Sequence, residues 1–141
     1  MKYKRRSKKP LKQYLIKKLD EVFKRYVRTS NIIPNTNMVR CCTCRRLKPF
    51  KEIHAGHFIS CSYKSLRWDE RNVHPQCYRC NSRLRGNLVE YSYYLNKKYD
   101  YRIMDILIAM KHEEMAHPIK LMSEELIEKI EYYENKLKEL G

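Results

Sequence analysis

The chain has 141 residues, with 31 Lys and Arg against 16 Asp and Glu, a formal net charge of +15. That length suits one domain with a modest core, and that charge calls for a polyanionic partner, nucleic acid before any other. No apolar run approaches the roughly 20 residues that cross a bilayer, and the basic start MKYKRRSKKP leads into LKQYLIKKL, which lysines interrupt. A membrane partner is therefore excluded, and a soluble, reducing, cytoplasmic setting is expected.

The charge is uneven: residues 1–29 carry +10, residues 30–90 carry +7 and residues 91–141 carry −2. The first two thirds are thus the part expected to face the polyanion. Residues 1–10 read as a basic disordered arm in which Arg5, Arg6, Lys8 and Lys9 contact phosphates. From Leu11 the apolar residues Leu15, Val22, Phe23 and Tyr26 recur at helical spacing with Lys and Arg between them, predicting an amphipathic helix over 11–29. The link SNIIPNTN is rich in turn formers. Between Met38 and Cys77 no helical period persists, and KEIHAGHFIS reads as hairpin material, so two short strands are expected there.

A helix is expected from Tyr78 to about Lys98, with Leu84, Leu88, Tyr91 and Leu95 on one face and Gly86 as its weak point. Another is expected over Tyr101 to His112. The last opens at Ser123, whose hydroxyl suits an N-cap ahead of Glu124 and Glu125, and keeps Leu126, Ile130, Tyr133, Leu137 and Leu140 on one side. Being acidic, it reads as a packing or dimer element. The expected organisation is a single α+β, mainly helical domain over 11–141, with a cysteine-knuckle core over 38–98 and C-terminal helices over 100–141.

Two cysteine pairs frame the middle of the chain: Cys41 and Cys44 in CCTC, and Cys77 and Cys80 in CYRC. In a reducing compartment such spacing points to metal rather than disulfides, and four thiolates close a tetrahedral zinc site. The expected ligands are Cys41, Cys44, Cys77 and Cys80, with Cys42 in place of Cys41 as the alternative register. Four sulfurs leave no open position on the ion, so this zinc is structural and any catalysis needs a second centre.

Hydrolysing a phosphodiester needs an activated water and a cation beside the scissile phosphate. The enclosed segment supplies His54, His57, Asp69, Glu70, Asn72 and His74, and Asn81 follows the second knuckle at once. Imidazole is the natural base near neutral pH, and carboxylate, imidazole or amide oxygen can hold a divalent cation. Arg67, Arg71, Arg83 and Arg85 are the cations expected to contact DNA beside the cut.

The order His57, Asn72, Asn81, interleaved with two CxxC knuckles, resembles the HNH or ββα-metal endonucleases. The strings HAGHF, LRWDERNVHPQCYRCN, RGNLVEY and EYYENKLKEL more closely resemble the phage NinG (Rap) recombination proteins, over roughly residues 11–141. The resemblance implies a zinc-stabilised ββα-metal core flanked by helices, in a phage or prophage protein at work in the bacterial host cell. It implies a structure-specific endonuclease acting on branched intermediates such as Holliday junctions and D-loops. Carried onto this chain, His57 would be the general base, Asn81 would help hold a catalytic Mg²⁺ or Mn²⁺, and Asn72 would brace the inter-strand loop or touch that metal. Many HNH enzymes place Asp or His directly before the base, where this chain has Gly56. His54, three positions before the base, is then the candidate second ligand, with His74, Asp69 or Glu70 as substitutes, and an imidazole there favours Mn²⁺. Cutting two strands symmetrically calls for two active sites, which makes a homodimer attractive. The competing reading is a non-catalytic zinc-knuckle protein that binds nucleic acid.

Overall fold

The structure, a computed structural model, describes residues 8–141, with side chains from Leu11 onward. Arg5 and Arg6 lie outside the described residues, as do the side chains of Lys8 and Lys9. Helix α1 runs Lys8–Thr29, starting inside the expected arm. Pro10 falls in its first turn, where a missing N–H costs no intrahelical bond.

α1 turns Leu15, Leu19, Val22, Phe23 and Val27 inward and packs along the last helix, α5 (Ser123–Glu139), which contributes Leu126, Ile130 and Tyr133. Trp68 and Val73 complete this core. Each such side chain, once fully buried, is worth about 1.5–3 kcal/mol, so the α1–α5 pairing holds itself together largely by apolar contact. The acidic last helix is therefore a packing element. Ser123 is its first helical residue, but its hydroxyl makes no cap hydrogen bond, and Met122 occupies the N-cap. The carboxylates of Glu124 and Glu125 remain in the first turn, where the helix dipole favours them.

Four strands form where two were expected. β1 (Met38–Arg40) and β2 (Leu47–Pro49) pair antiparallel around the first knuckle. β3 (Ile53–His57) and β4 (Val73–Cys77) form a second antiparallel pair, with His54 opposite Gln76 and His57 opposite Val73. The long connection between β3 and β4 holds α2 (Lys64–Arg67), whose first N–H groups, on Lys64 and Ser65, donate to the Glu114 carboxylate at 2.8 and 2.7 Å.

The helix expected over 78–98 is broken. A π-helical turn covers Arg79–Arg83, and Arg85, Gly86 and Asn87 follow with φ of 49°, 93° and 47°. The left-handed run lets the Gly86 N–H donate to the Cys80 carbonyl at 2.8 Å, which closes the second knuckle and ends the helix. α3 (Leu88–Lys98) starts after it and buries only Tyr91 and Leu95 of the four apolar residues expected on its face. α4 (Ile103–Ala116) adds Ile103 and Leu107 to the same second core, together with Cys42 and Leu66.

Candidate metal centre and active site

A small third core of Val39, Cys41, Ile53, Cys77 and Cys80 joins the two sheets, and the four expected cysteines converge in it. The Sγ atoms of Cys41, Cys44, Cys77 and Cys80 lie within 4.8 Å of one another. The Cys44 and Cys77 sulfurs are 3.8 Å apart. A tetrahedron with metal–sulfur bonds of about 2.3 Å has edges of roughly 3.8 Å, so the cluster fits a metal ion such as zinc. Among the described residues it is the one group of three or more His, Cys, Asp or Glu that can hold an ion.

The backbone builds the cluster locally. Cys41 N–H donates to the Arg46 carbonyl at 2.9 Å and Arg45 N–H to the Cys41 carbonyl at 3.0 Å, with Arg45 at a φ of 65°. Cys42 N–H donates to the Pro75 carbonyl at 2.8 Å, tying this knuckle to β4. The same bond turns the Cys42 side chain away, into the core around Tyr91 and Leu95, where burial raises its thiol pKa far above the ordinary range. The sulfur that joins the cluster is that of Cys41, not Cys42. Burial opposes ionisation of Cys41 too, but hydrogen bonds from the Thr43 hydroxyl and nearby backbone outweigh it and hold that thiol at about 6. Burial, then the Cys41 thiolate, push Cys44 to about 12. Without a cation the four sulfurs cannot all ionise together; a divalent ion removes that obstacle.

His57 ends β3, half-buried, and its Nε2 lies 2.9 Å from the carbonyl oxygen of Arg67. A carbonyl only accepts, so Nε2 carries the proton and Nδ1 keeps its lone pair. Burial lowers the imidazole pKa below its ordinary 6.5; Lys24 and Arg67 push it the same way, while the Arg67 carbonyl and Asp20 oppose them. The ring is thus neutral near pH 7, with one nitrogen free to take a proton.

Asn72 is 0% exposed and fully committed. Its Oδ1 accepts from Ile59 N–H at 2.9 Å, and its Nδ2 donates to the carbonyls of Ile59 and Leu66 at 2.9 and 3.0 Å. Of its two expected roles the structure assigns it the brace: it pins the loop that carries the Arg67 carbonyl to His57. His74, expected as a cation ligand, is buried between Tyr91 and Tyr99, whose hydroxyls lie 3.2 and 2.8 Å from its two nitrogens. With both nitrogens engaged it has none for a metal. Asp69 and Glu70 are likewise occupied, by Arg71 and by the Tyr133 hydroxyl.

His54 is exposed, beside the Tyr78 ring at a centroid distance of 6.1 Å. Strand alternation sends it to the opposite face of β3 from His57. Asn81 is half-buried within the Arg79–Arg83 turn, which leaves the hairpin at its Ile53–Cys77 end.

Two of the four expected DNA-contacting arginines have internal duties. Arg67 forms a two-point ion pair with Asp20 of α1, and Arg71 forms one with Asp69. Each commits two of its five guanidinium N–H donors to a protein carboxylate. Arg83 and Arg85 are exposed after the second knuckle. Asp20 and Lys24 were not singled out from sequence, yet both lie close enough to shift the His57 pKa. Their signal was present: Asp20 and Glu21 are the only acids among twelve cations in residues 1–29, and Lys24 lies one helical turn beyond Asp20.

A family model described as "Bacteriophage Lambda NinG protein" matches residues 1–141. The protein ninG of Salmonella phage P22 is 31% identical over 103 residues, 71% of this chain and 47% of that protein. Those of Escherichia phage 933W and Escherichia phage lambda are 42% and 40% identical over 52 residues, 36% of this chain and 25% of each relative. The chain spans less than half the length of these curated relatives. No solved structure matches.

Proposed function

The chain belongs to the NinG family, and from that membership we propose that it is a metal-dependent endonuclease that cuts branched DNA. The observation that carries the reading is His57, held by Nε2 on the Arg67 carbonyl with Nδ1 left as the proton acceptor. A merely structural imidazole, such as His74, has both nitrogens satisfied; His57 has one. The four-cysteine centre serves as scaffold: it ties the first knuckle, β4 and the following turn together and leaves the ion no coordination position for substrate.

The chemistry assigned to this chain is proton abstraction from water by His57 Nδ1, with burial keeping the ring neutral at working pH. Asn81 and His54, expected from sequence to hold a Mg²⁺ or Mn²⁺, lie at the far end of the hairpin and, for His54, on the opposite face of β3 from His57, so they do not form one cation site with it and no protein ligand for the catalytic ion is assigned. When bound, such an ion supplies charge neutralisation at the scissile phosphate. Lys24 on α1, together with exposed Arg83 and Arg85, provides cations for the flanking phosphates. A homodimer would supply the two sites that symmetric cutting needs.

The test is incubation of purified wild-type and His57→Ala protein with labelled junction, duplex and single-stranded DNA, with Mg²⁺, with Mn²⁺ or with no added divalent cation. The expected result is cation-dependent junction cleavage that falls by about 100-fold or more in His57→Ala while junction binding persists. Equal cleavage by the two proteins would remove His57 as the base. Binding without cleavage by wild-type protein under every condition would favour the zinc-knuckle binding protein instead.

A further inference from the structure

Between the first knuckle and α3 lies a cleft of about 410 Å³, within the roughly 300–1,000 Å³ of small-molecule sites. Arg45, Lys97 and Lys98 line it with Tyr93 and Tyr94, against the single acid Glu90. On α3 the residues Glu90, Tyr93, Tyr94 and Lys97 follow the spacing that sets side chains along one helical face. Among the described residues none of the three cations has an ion-pair partner.

The two tyrosines differ in a way that defines the ligand. Tyr94 is half-buried, and its ring already carries the Arg45 guanidinium and the Lys98 ammonium, each 5.8 Å from its centroid. Tyr93 is 72% exposed, and no cation lies over its ring. The cleft thus offers one bare aromatic plate rimmed by unpaired positive charge.

That combination matches a nucleobase with its phosphate. In a duplex each base face is covered by its neighbours, so an unpaired nucleotide alone offers a free face to a tyrosine. We propose that this cleft binds an unpaired nucleotide of a DNA strand, its base stacked on Tyr93 and its phosphate held by Arg45 and Lys97. A single stacked base with one phosphate contact binds weakly by itself, so the cleft suits a strand anchored elsewhere rather than a free nucleotide. The assignment rests on the proposed engagement of DNA, and does not require that the DNA be cut.

The experiment uses the full chain with its metal and no added divalent cation, measuring fluorescence anisotropy with a labelled oligothymidylate and a duplex of equal length. Tyr93→Ala is expected to weaken oligothymidylate binding by about 10-fold while duplex binding holds, and Tyr93→Phe to retain wild-type binding. Lys97→Gln should weaken oligothymidylate binding as well. Melting temperature and metal content should be unchanged in Tyr93→Ala, since the ring is exposed. Four results would overturn the proposal: no oligothymidylate binding by wild-type protein, no effect of Tyr93→Ala, an equal loss on duplex, or displacement by millimolar thymidine monophosphate. A failed nuclease reading would appear instead as absent cleavage with these binding differences intact.

Discussion

Asp20 and Arg67, 47 positions apart in the chain, meet in a two-point ion pair, Nε to Oδ1 at 3.0 Å and Nη2 to Oδ2 at 2.6 Å. The indole N–H of Trp68 donates to the same carboxylate at 2.9 Å. Burial alone would raise the Asp20 pKa, but the Arg67 bonds and charge outweigh it and hold the carboxyl below its usual value. The pair fastens α1 to the end of α2, and the carbonyl of that same Arg67 receives His57. An arginine that looks like a phosphate contact thus orients the proposed base from its backbone.

Asp20→Ala should therefore cost both stability and activity. The paired side chains are 28% and 19% exposed, so the loss belongs between that of a surface pair and a buried one, about 1–3 kcal/mol. Urea denaturation reads the first effect. Cleavage should fall more than junction binding, because the loop that holds the His57 ring is loosened. An unchanged urea midpoint would mean that the ion pair contributes nothing net.

The cysteines give a prediction with an internal control. Cys77→Ser and Cys80→Ser remove ligands of a centre that joins both sheets, and both proteins should lose their bound metal and their cooperative unfolding. Cys42→Ala should keep the metal and lose only its side-chain contacts around Tyr91. Metal content by mass spectrometry checks all three. Loss of metal from Cys42→Ala with retention in Cys77→Ser would reverse the ligand assignment.

Much of this centre was legible in the sequence because CxxC spacing is local: two residues between cysteines suffice to turn both sulfurs toward one ion. Helices α1 and α5 were legible for a similar reason, since their apolar period lies within each segment. The duties of Arg67 and Arg71 were not. A charged side chain reads as solvent-facing unless its partner is known, and the partner of Arg67 arrives from another helix. The break in the 78–98 helix was half legible: Gly86 marks the weak point, but closure of the knuckle on Cys80 enforces it. His74 looked like Asn81 or His54, a polar group near the site, until β4 was seen to carry it between two tyrosines.

That burial makes His74 a source of acid sensitivity. Desolvation, then Lys98, depress its pKa from 6.5 to about 3. The unfolded chain takes up this proton below about pH 6.5 and the folded chain only near pH 3. The stability from the neutral ring is complete above 6.5 and is lost progressively as pH falls toward the folded value. Between about pH 7.5 and about pH 5.5 wild-type protein should lose about 1.4 kcal/mol that a His74→Gln variant retains. Urea unfolding of both proteins at the two pH values measures the difference. Parallel losses would show that His74 is not held neutral.

Packing around Gly56 explains why the residue before His57 is not an acid or a second histidine. A Cβ there would collide with the Gln76 side chain, approaching its Cδ at 2.7 Å and its Cγ at 3.0 Å. Gln76 cannot easily withdraw: it is fully buried, and its Nε2 donates to the Thr43 hydroxyl at 3.2 Å and the Gly86 carbonyl at 2.8 Å. Thr43 in turn touches the Cys41 sulfur at 3.3 Å. The residue beside His57 is therefore packed on the link between the two knuckles. Gly56→Ala should destabilise the protein by about 1–3 kcal/mol through overpacking and displace the strand that ends in His57, lowering cleavage as well. Gln76→Ala would open a cavity and leave partners unpaired, but in combination with Gly56→Ala it also relieves the clash. The double variant should consequently be more stable than the sum of the single losses, a coupling that a double-mutant cycle in urea measures directly. Strict additivity would mean that the two residues do not compete for the same space.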